Sequence, residues 1–129
     1  MDNGSVATEV YRLLAEDNDC VIHQLGTRGP SGGKHEGRGS WTFARYLADT
    51  DYAGKTNAFW DKIKGRLDFQ KYCETNGYEG IDYFLIALGT NDVSQGTTLY
   101  RTEAEVQKFV DQAKQFIDCL LYTSPSPRD

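Results

Sequence analysis

The residues whose types and spacing suit chemistry fall in two glycine-rich loops. One, 26–40, carries Arg28, Lys34, His35, Arg38 and Ser40; the other, 89–100, opens on Gly89-Thr90-Asn91-Asp92. An asparagine directly after a buried strand presents its amide N–H groups over the sheet edge. There they can stabilise negative charge developing on a carbonyl oxygen. Taken alone, Gly-x-Asn-Asp is also an ordinary turn sequence. The first loop supplies a second donor of the same kind. Gly39-Ser40 leads into a short helix, 41–47 with Ser40 as its cap, whose first N–H groups have no partner within the helix. Asp92 reads as a residue that ties its own turn through backbone hydrogen bonds.

Other chemistries fail on spacing. Around Gly33-Lys34 a phosphate-cradling loop would need glycine at 28 and serine or threonine at 35, where the chain has Arg28 and His35. Gly37-Arg38-Gly39 is followed by Ser-Trp-Thr, so the dinucleotide pattern lacks its third glycine. His23 and His35 have no third ligand at a metal-binding spacing, so no metal site is expected, and no cofactor. Cys20, Cys73 and Cys119 match neither a zinc nor a redox spacing and read as small buried thiols. Ser5 follows Gly4 but has no strand before it to aim its hydroxyl, and reads as a helix-start residue. Ser31 and Ser94 are loop serines without a base.

The elements that must position these loops are few. The chain has 129 residues, enough for one ordinary domain. Its net charge of −5 disfavours a sequence-blind grip on nucleic-acid phosphates, and no apolar run spans a bilayer. Val6, Val10, Leu13 and Leu14 place an amphipathic helix over about 5–17. A short strand follows at 20–25, and another helix is expected near 68–75. Residues 81–88, IDYFLIAL, form a nearly continuous apolar run, the pattern of a parallel strand covered on both faces. Thr102-Glu103-Ala104-Glu105 spells a capping box, and Val106, Phe109, Val110, Ala113 and Ile117 form the apolar face of the helix it starts. Helix and strand alternate as in a layered α/β domain, where ligands bind beyond the carboxyl ends of the strands.

Residues 119–129, CLLYTSPSPRD, form a Ser/Pro tail on this last helix and resemble a translated sequencing-library adapter. They are set apart from the domain, 1–118, as a non-native tail. Removing them takes away one arginine and one aspartate, so the net charge stays at −5. On this reading the chain is a fragment, and a strand ahead of Met1 is also expected.

His35-Glu36-Gly37-Arg38-Gly39-Ser40-Trp41-Thr42, together with Gly89-Thr90-Asn91-Asp92 after its apolar run, resembles the SGNH (GDSL-type) hydrolases. Asn57-Ala58-Phe59-Trp60 and Leu67-Asp68-Phe69 are similar to segments of a bacterial branch of that family. The resemblance covers about 26–118. It implies a three-layer α/β/α, flavodoxin-like fold with parallel strands near 20–25 and 81–88. It also implies a serine esterase acting on a small-molecule or carbohydrate ester, O-acetyl groups on carbohydrates among them. Asn91 carries over as the side-chain oxyanion donor and Gly89 as its turn residue. Either Gly39 or Ser40 supplies the main-chain N–H, because the family's Ser-Gly is replaced here by Gly-Ser. Arg38 and His35 are the expected substrate contacts. Gly-Asp-Ser and Asp-x-x-His, the family's nucleophile and base blocks, do not occur in the chain, so the fragment itself is expected to be inactive. The competing class is a non-catalytic α/β module whose two loops bind a small ligand or carbohydrate.

Overall fold

A computed structural model describes residues 3–94 and 102–125 and divides the chain into two compact units, Met1–Gly39 and Ser40–Asp129. Residues 95–100 of the second loop and 126–129 of the tail lie outside the described residues.

In the first unit the expected amphipathic helix is α1, Ser5–Ala15, preceded by Gly4 at φ 72°. Arg12 bridges Glu9 at 2.7 Å and Glu16 at 2.5 Å along its exposed side, where solvent screens both pairs. The strand expected at 20–25 does not form. Those residues join no ladder, and among the described residues of the unit a single antiparallel bridge, Arg28 to His35, closes the loop. The Gln24 side chain makes the long-range bonds instead, donating to Ala7 O at 2.8 Å and accepting from Lys34 N at 2.9 Å.

The second unit begins at Ser40, followed by the buried Trp41 and a one-turn helix, α2, Phe43–Tyr46. Two short antiparallel hairpins follow. β1 (Asp51–Tyr52) pairs with β2 (Lys55–Thr56), and β3 (Trp60–Asp61) pairs with β4 (Arg66–Leu67). The first turns on Ala53-Gly54, both at positive φ, and the second on Asp61, whose Oδ1 accepts from Ile63 N and Lys64 N. α3, Phe69–Asn76, is capped by Asp68, which accepts from Lys71 N at 2.9 Å, and ends at the left-handed Gly77. Burial pushes the Asp68 carboxyl up, but the Lys64 ammonium at 2.7 Å, the Lys71 N–H and Arg66 outweigh it and hold it below the usual carboxylate range. α4 is Thr90–Ser94 and α5 is Glu103–Thr123, started by the expected capping box.

The flavodoxin-like α/β/α sheet is absent. Among the described residues the only sheets are these two antiparallel hairpins, and no strand is parallel. The segment 81–88 joins no ladder with any described residue. It is held by side chains: Ile81, Phe84, Ile86 and Leu88 pack on the core, while Tyr83 is 96% and Leu85 69% exposed. One face is therefore covered where the nearly continuous apolar run predicted two.

The core is a cluster of rings. Trp41, Phe43, Tyr46, Phe59, Phe69, Tyr72 and Phe116 are all buried together with Leu67 and Cys73. Phe116 lies between 5.7 and 6.5 Å, centroid to centroid, from Phe43, Tyr46, Phe59, Phe69 and Phe84. That ring sets the roll of α5. Phe109, Ala113, Phe116, Cys119 and Leu120 face the core, whereas Val106, Val110 and Ile117 of the expected face are between 41% and 48% exposed. α5 continues through Cys119–Thr123 of the set-apart tail, and Thr123 Oγ1 accepts from Phe69 N at 2.9 Å. Of the three expected buried thiols, Cys73 is buried, Cys119 is half-buried and Cys20 is exposed. Burial pushes the thiols of Cys73 and Cys119 up from the usual value.

Candidate functional site

The Gly89 turn brings its polar residues against the main chain that enters α2. Gly89 has φ 110° and is buried, and a Cβ there would meet the Phe109 ring at 3.3 Å, so the turn requires glycine. The next residues form the first turn of α4, with Asn91 and Asp92 half-buried. Asn91 Nδ2 donates to Trp41 O at 3.0 Å, and Asp92 Oδ1 accepts from Phe43 N at 3.0 Å. One donor and one acceptor on adjacent residues thus hold main chain about fifty positions away. An amide nitrogen carries two N–H groups, so the bond to Trp41 leaves Asn91 one more donor.

Ser40 lies beside this contact in a left-handed conformation, φ 63°, with its side chain exposed. The Arg45 guanidinium donates to Ser40 O and lies 3.7 Å over the Tyr52 ring. The expected cap is displaced. Thr42, not Ser40, caps α2, accepting from Arg45 N at 3.3 Å. A left-handed Ser40 cannot turn its hydroxyl onto the following helix, whereas the extended Thr42 can. α2 has only four residues, and the N–H of Phe43 is already bonded to Asp92. The anion-binding helix end expected from the sequence is therefore absent, and the Ser40-Trp41 turn and the Asn91 amide remain.

The other expected residues belong to the first unit. His35 Nδ1 accepts from Gly37 N at 3.0 Å, and the His35 main chain bridges Arg28. The Arg38 side chain is 5% exposed and donates to Glu36 O at 2.6 Å and Glu36 Oε2 at 3.0 Å. Glu36 also accepts from Thr27 N and Thr27 Oγ1, and Arg28 donates to Gly37 O. Arg38 is thus half of a buried ion pair that locks the loop, and Gly39 is the half-buried residue that ends the unit. Glu36 and Asp92 were the organising residues that spacing did not single out as partners. Both lie next to residues it did single out.

Ser5 is the first residue of α1, and Ser31 and Ser94 are exposed. Among the described residues no three His, Cys, Asp or Glu side chains gather to hold a metal, and no helix is long and apolar enough to cross a membrane. A groove of about 400 Å³ between β4 and α5, lined by Arg66, Asp111, Lys114, Asp118 and Tyr122, mixes both signs of charge and selects no ligand class. Comparison of the chain with protein-family models, curated proteins and solved structures finds no match.

Proposed function

We propose that the Ser40-Trp41 turn and Asn91 form the oxyanion-stabilising half of a serine-esterase site acting on carboxylic esters, O-acetyl groups of carbohydrates among them. The observation that carries this is the approach of Asn91 Nδ2 to within 3.0 Å of the Trp41 carbonyl, which puts a side-chain amide donor beside a constrained main-chain turn. In such a site a serine oxygen attacks the ester carbonyl, its proton passes to a histidine, and the carbonyl oxygen gains the negative charge. The second N–H of Asn91 and a main-chain N–H of the Ser40-Trp41 turn would bond that oxygen. The serine and histidine belong, on this proposal, to segments outside these 129 residues. The reading depends on the paired turns and not on a parallel sheet.

The test is to read the coding sequence on both sides for Gly-Asp-Ser and Asp-x-x-His, express the protein with them, and assay p-nitrophenyl acetate and acetylated xylan. Hydrolysis is expected from that protein and not from residues 1–129 by themselves. Asn91→Ala should lower kcat at least tenfold with the fold intact by circular dichroism, since one oxyanion donor is worth about 2.7–4 kcal/mol in the transition state. Unchanged turnover in Asn91→Ala refutes the role of Asn91. Flanking sequence without those blocks refutes the esterase and favours the ligand-binding module.

A further inference from the structure

We infer that Asp92 is a positioning residue whose carboxylate keeps Ser40 left-handed and so aims the main-chain donor of the Ser40-Trp41 turn. The inference rests on the esterase proposal for what the turn is for, but not for how the turn is held. Three observations carry it. Asp92 Oδ1 accepts from Phe43 N at 3.0 Å, while Asp92 Oδ2 is buried with no hydrogen-bond partner among the described residues. The Phe43 bond is thus the single anchor of this carboxylate. Next, Asn91 donates to Trp41 O from the same turn of α4, so residues 91 and 92 grip Trp41 and Phe43 as a neighbouring strand would, one carbonyl and one N–H. Last, Ser40 occupies a conformation that residues with a Cβ avoid, and such a residue stays there only when its surroundings over-determine it. Arg45 fixes its carbonyl from one side. Asp92 fixes the following chain through Phe43, whose ring is buried against Phe109 and Phe116 and cannot shift to compensate. Without the Asp92 bond the Phe43 N–H loses its acceptor and the turn loses one of its two side-chain ties to α4, which frees Ser40 to leave the left-handed region.

The experiment is NMR on the 129-residue chain. The ¹³Cα and ¹³Cβ shifts and the HN–Hα coupling of Ser40 report its φ, and the Asn91 side-chain amide reports the neighbouring bond. Asp92→Ala is expected to move Ser40 out of the left-handed region and shift the Asn91 amide. Asp92→Asn, which keeps an acceptor oxygen for Phe43 N, is expected to retain the Ser40 signature. In that variant, exchange of the Phe43 amide proton should quicken by about threefold to tenfold, because a neutral acceptor holds it more weakly than a charged one. A left-handed Ser40 in Asp92→Ala overturns the inference. If Asp92→Ala does not fold, Asp92→Asn decides: unchanged Phe43 exchange, or a lost Ser40 signature, overturns it. No substrate is involved, so the two ideas fail separately. Ser40 following Asp92 in a protein that hydrolyses no ester sinks only the esterase, and hydrolysis with Ser40 indifferent to Asp92 sinks only the positioning.

Discussion

Asn57→Ala should unfold the second unit more readily than its small change of volume suggests. The Asn57 side chain is almost fully buried and makes three bonds: Nδ2 donates to Tyr46 O at 2.7 Å and Ala48 O at 2.9 Å, and Oδ1 accepts from Phe59 N at 3.1 Å. It therefore ties the end of α2 to the chain that delivers Phe59 into the core. At about 1 kcal/mol for each bond the loss is roughly 3 kcal/mol, a large share of the ~5–15 kcal/mol that holds a domain together. For a unit of this size that lowers the melting temperature by about 12–24 °C. Asn57→Asp should be no better, since it keeps the acceptor for Phe59 but sets a carboxylate oxygen against two carbonyls. Urea titration followed by tryptophan fluorescence, in which Trp41 is buried, measures the change. A loss below about 1 kcal/mol in Asn57→Ala would show that water replaces these bonds at no cost, and the account of Asn57 would be wrong.

Ser40→Gly should stabilise the protein by roughly 0.5–1 kcal/mol. Relief of about 1–2 kcal/mol of left-handed strain exceeds the ~0.5–1 kcal/mol of added backbone freedom. Ser40→Val should destabilise it, and a urea midpoint that moves the other way in either variant counts against the strained turn. Asp68 gives a pH dependence. Its folded carboxyl titrates below the unfolded one, mostly through Lys64, so its contribution is present above about pH 4 and is lost as pH falls through the folded value. Asp68→Asn should be less stable at pH 7 and lose less than the parent on acidification. Parallel urea midpoints from pH 3 to 7 would contradict this.

Local signals in the sequence were sound where neighbouring residues settle the outcome. The Thr102 to Glu105 box caps α5 as its spelling requires, Asp68 starts α3 beside the expected 68–75, and α1 follows its apolar spacing. Both hairpins escaped notice because their strands are two residues long, too short for alternation to register, and Ala53-Gly54 is not the Asn-Gly that marks such a turn. The run at 81–88 was misjudged for the opposite reason. Its apolar content is real, but a ladder depends on a second segment that no local pattern specifies. At the candidate site, Asn91 and the Ser40 turn were legible as types. The bond from Asp92 to Phe43 spans 49 positions and had no signature in either loop. Likewise, nothing in Glu36-Gly37-Arg38 announces that the two charges bury one another.

Phe43 ties the turn at Asp92 to the aromatic core. Its N–H belongs to the turn beside Asn91, and its ring stacks among the aromatic side chains of α5. A molecule that tightens the turn must therefore also tighten the hydrophobic interior, so occupancy would be visible as a rise in melting temperature without any chemical turnover. The same linkage constrains engineering. Substitutions on α5 as far along as Phe116 stand one side chain away from the turn, and thermostability and affinity would have to be selected together.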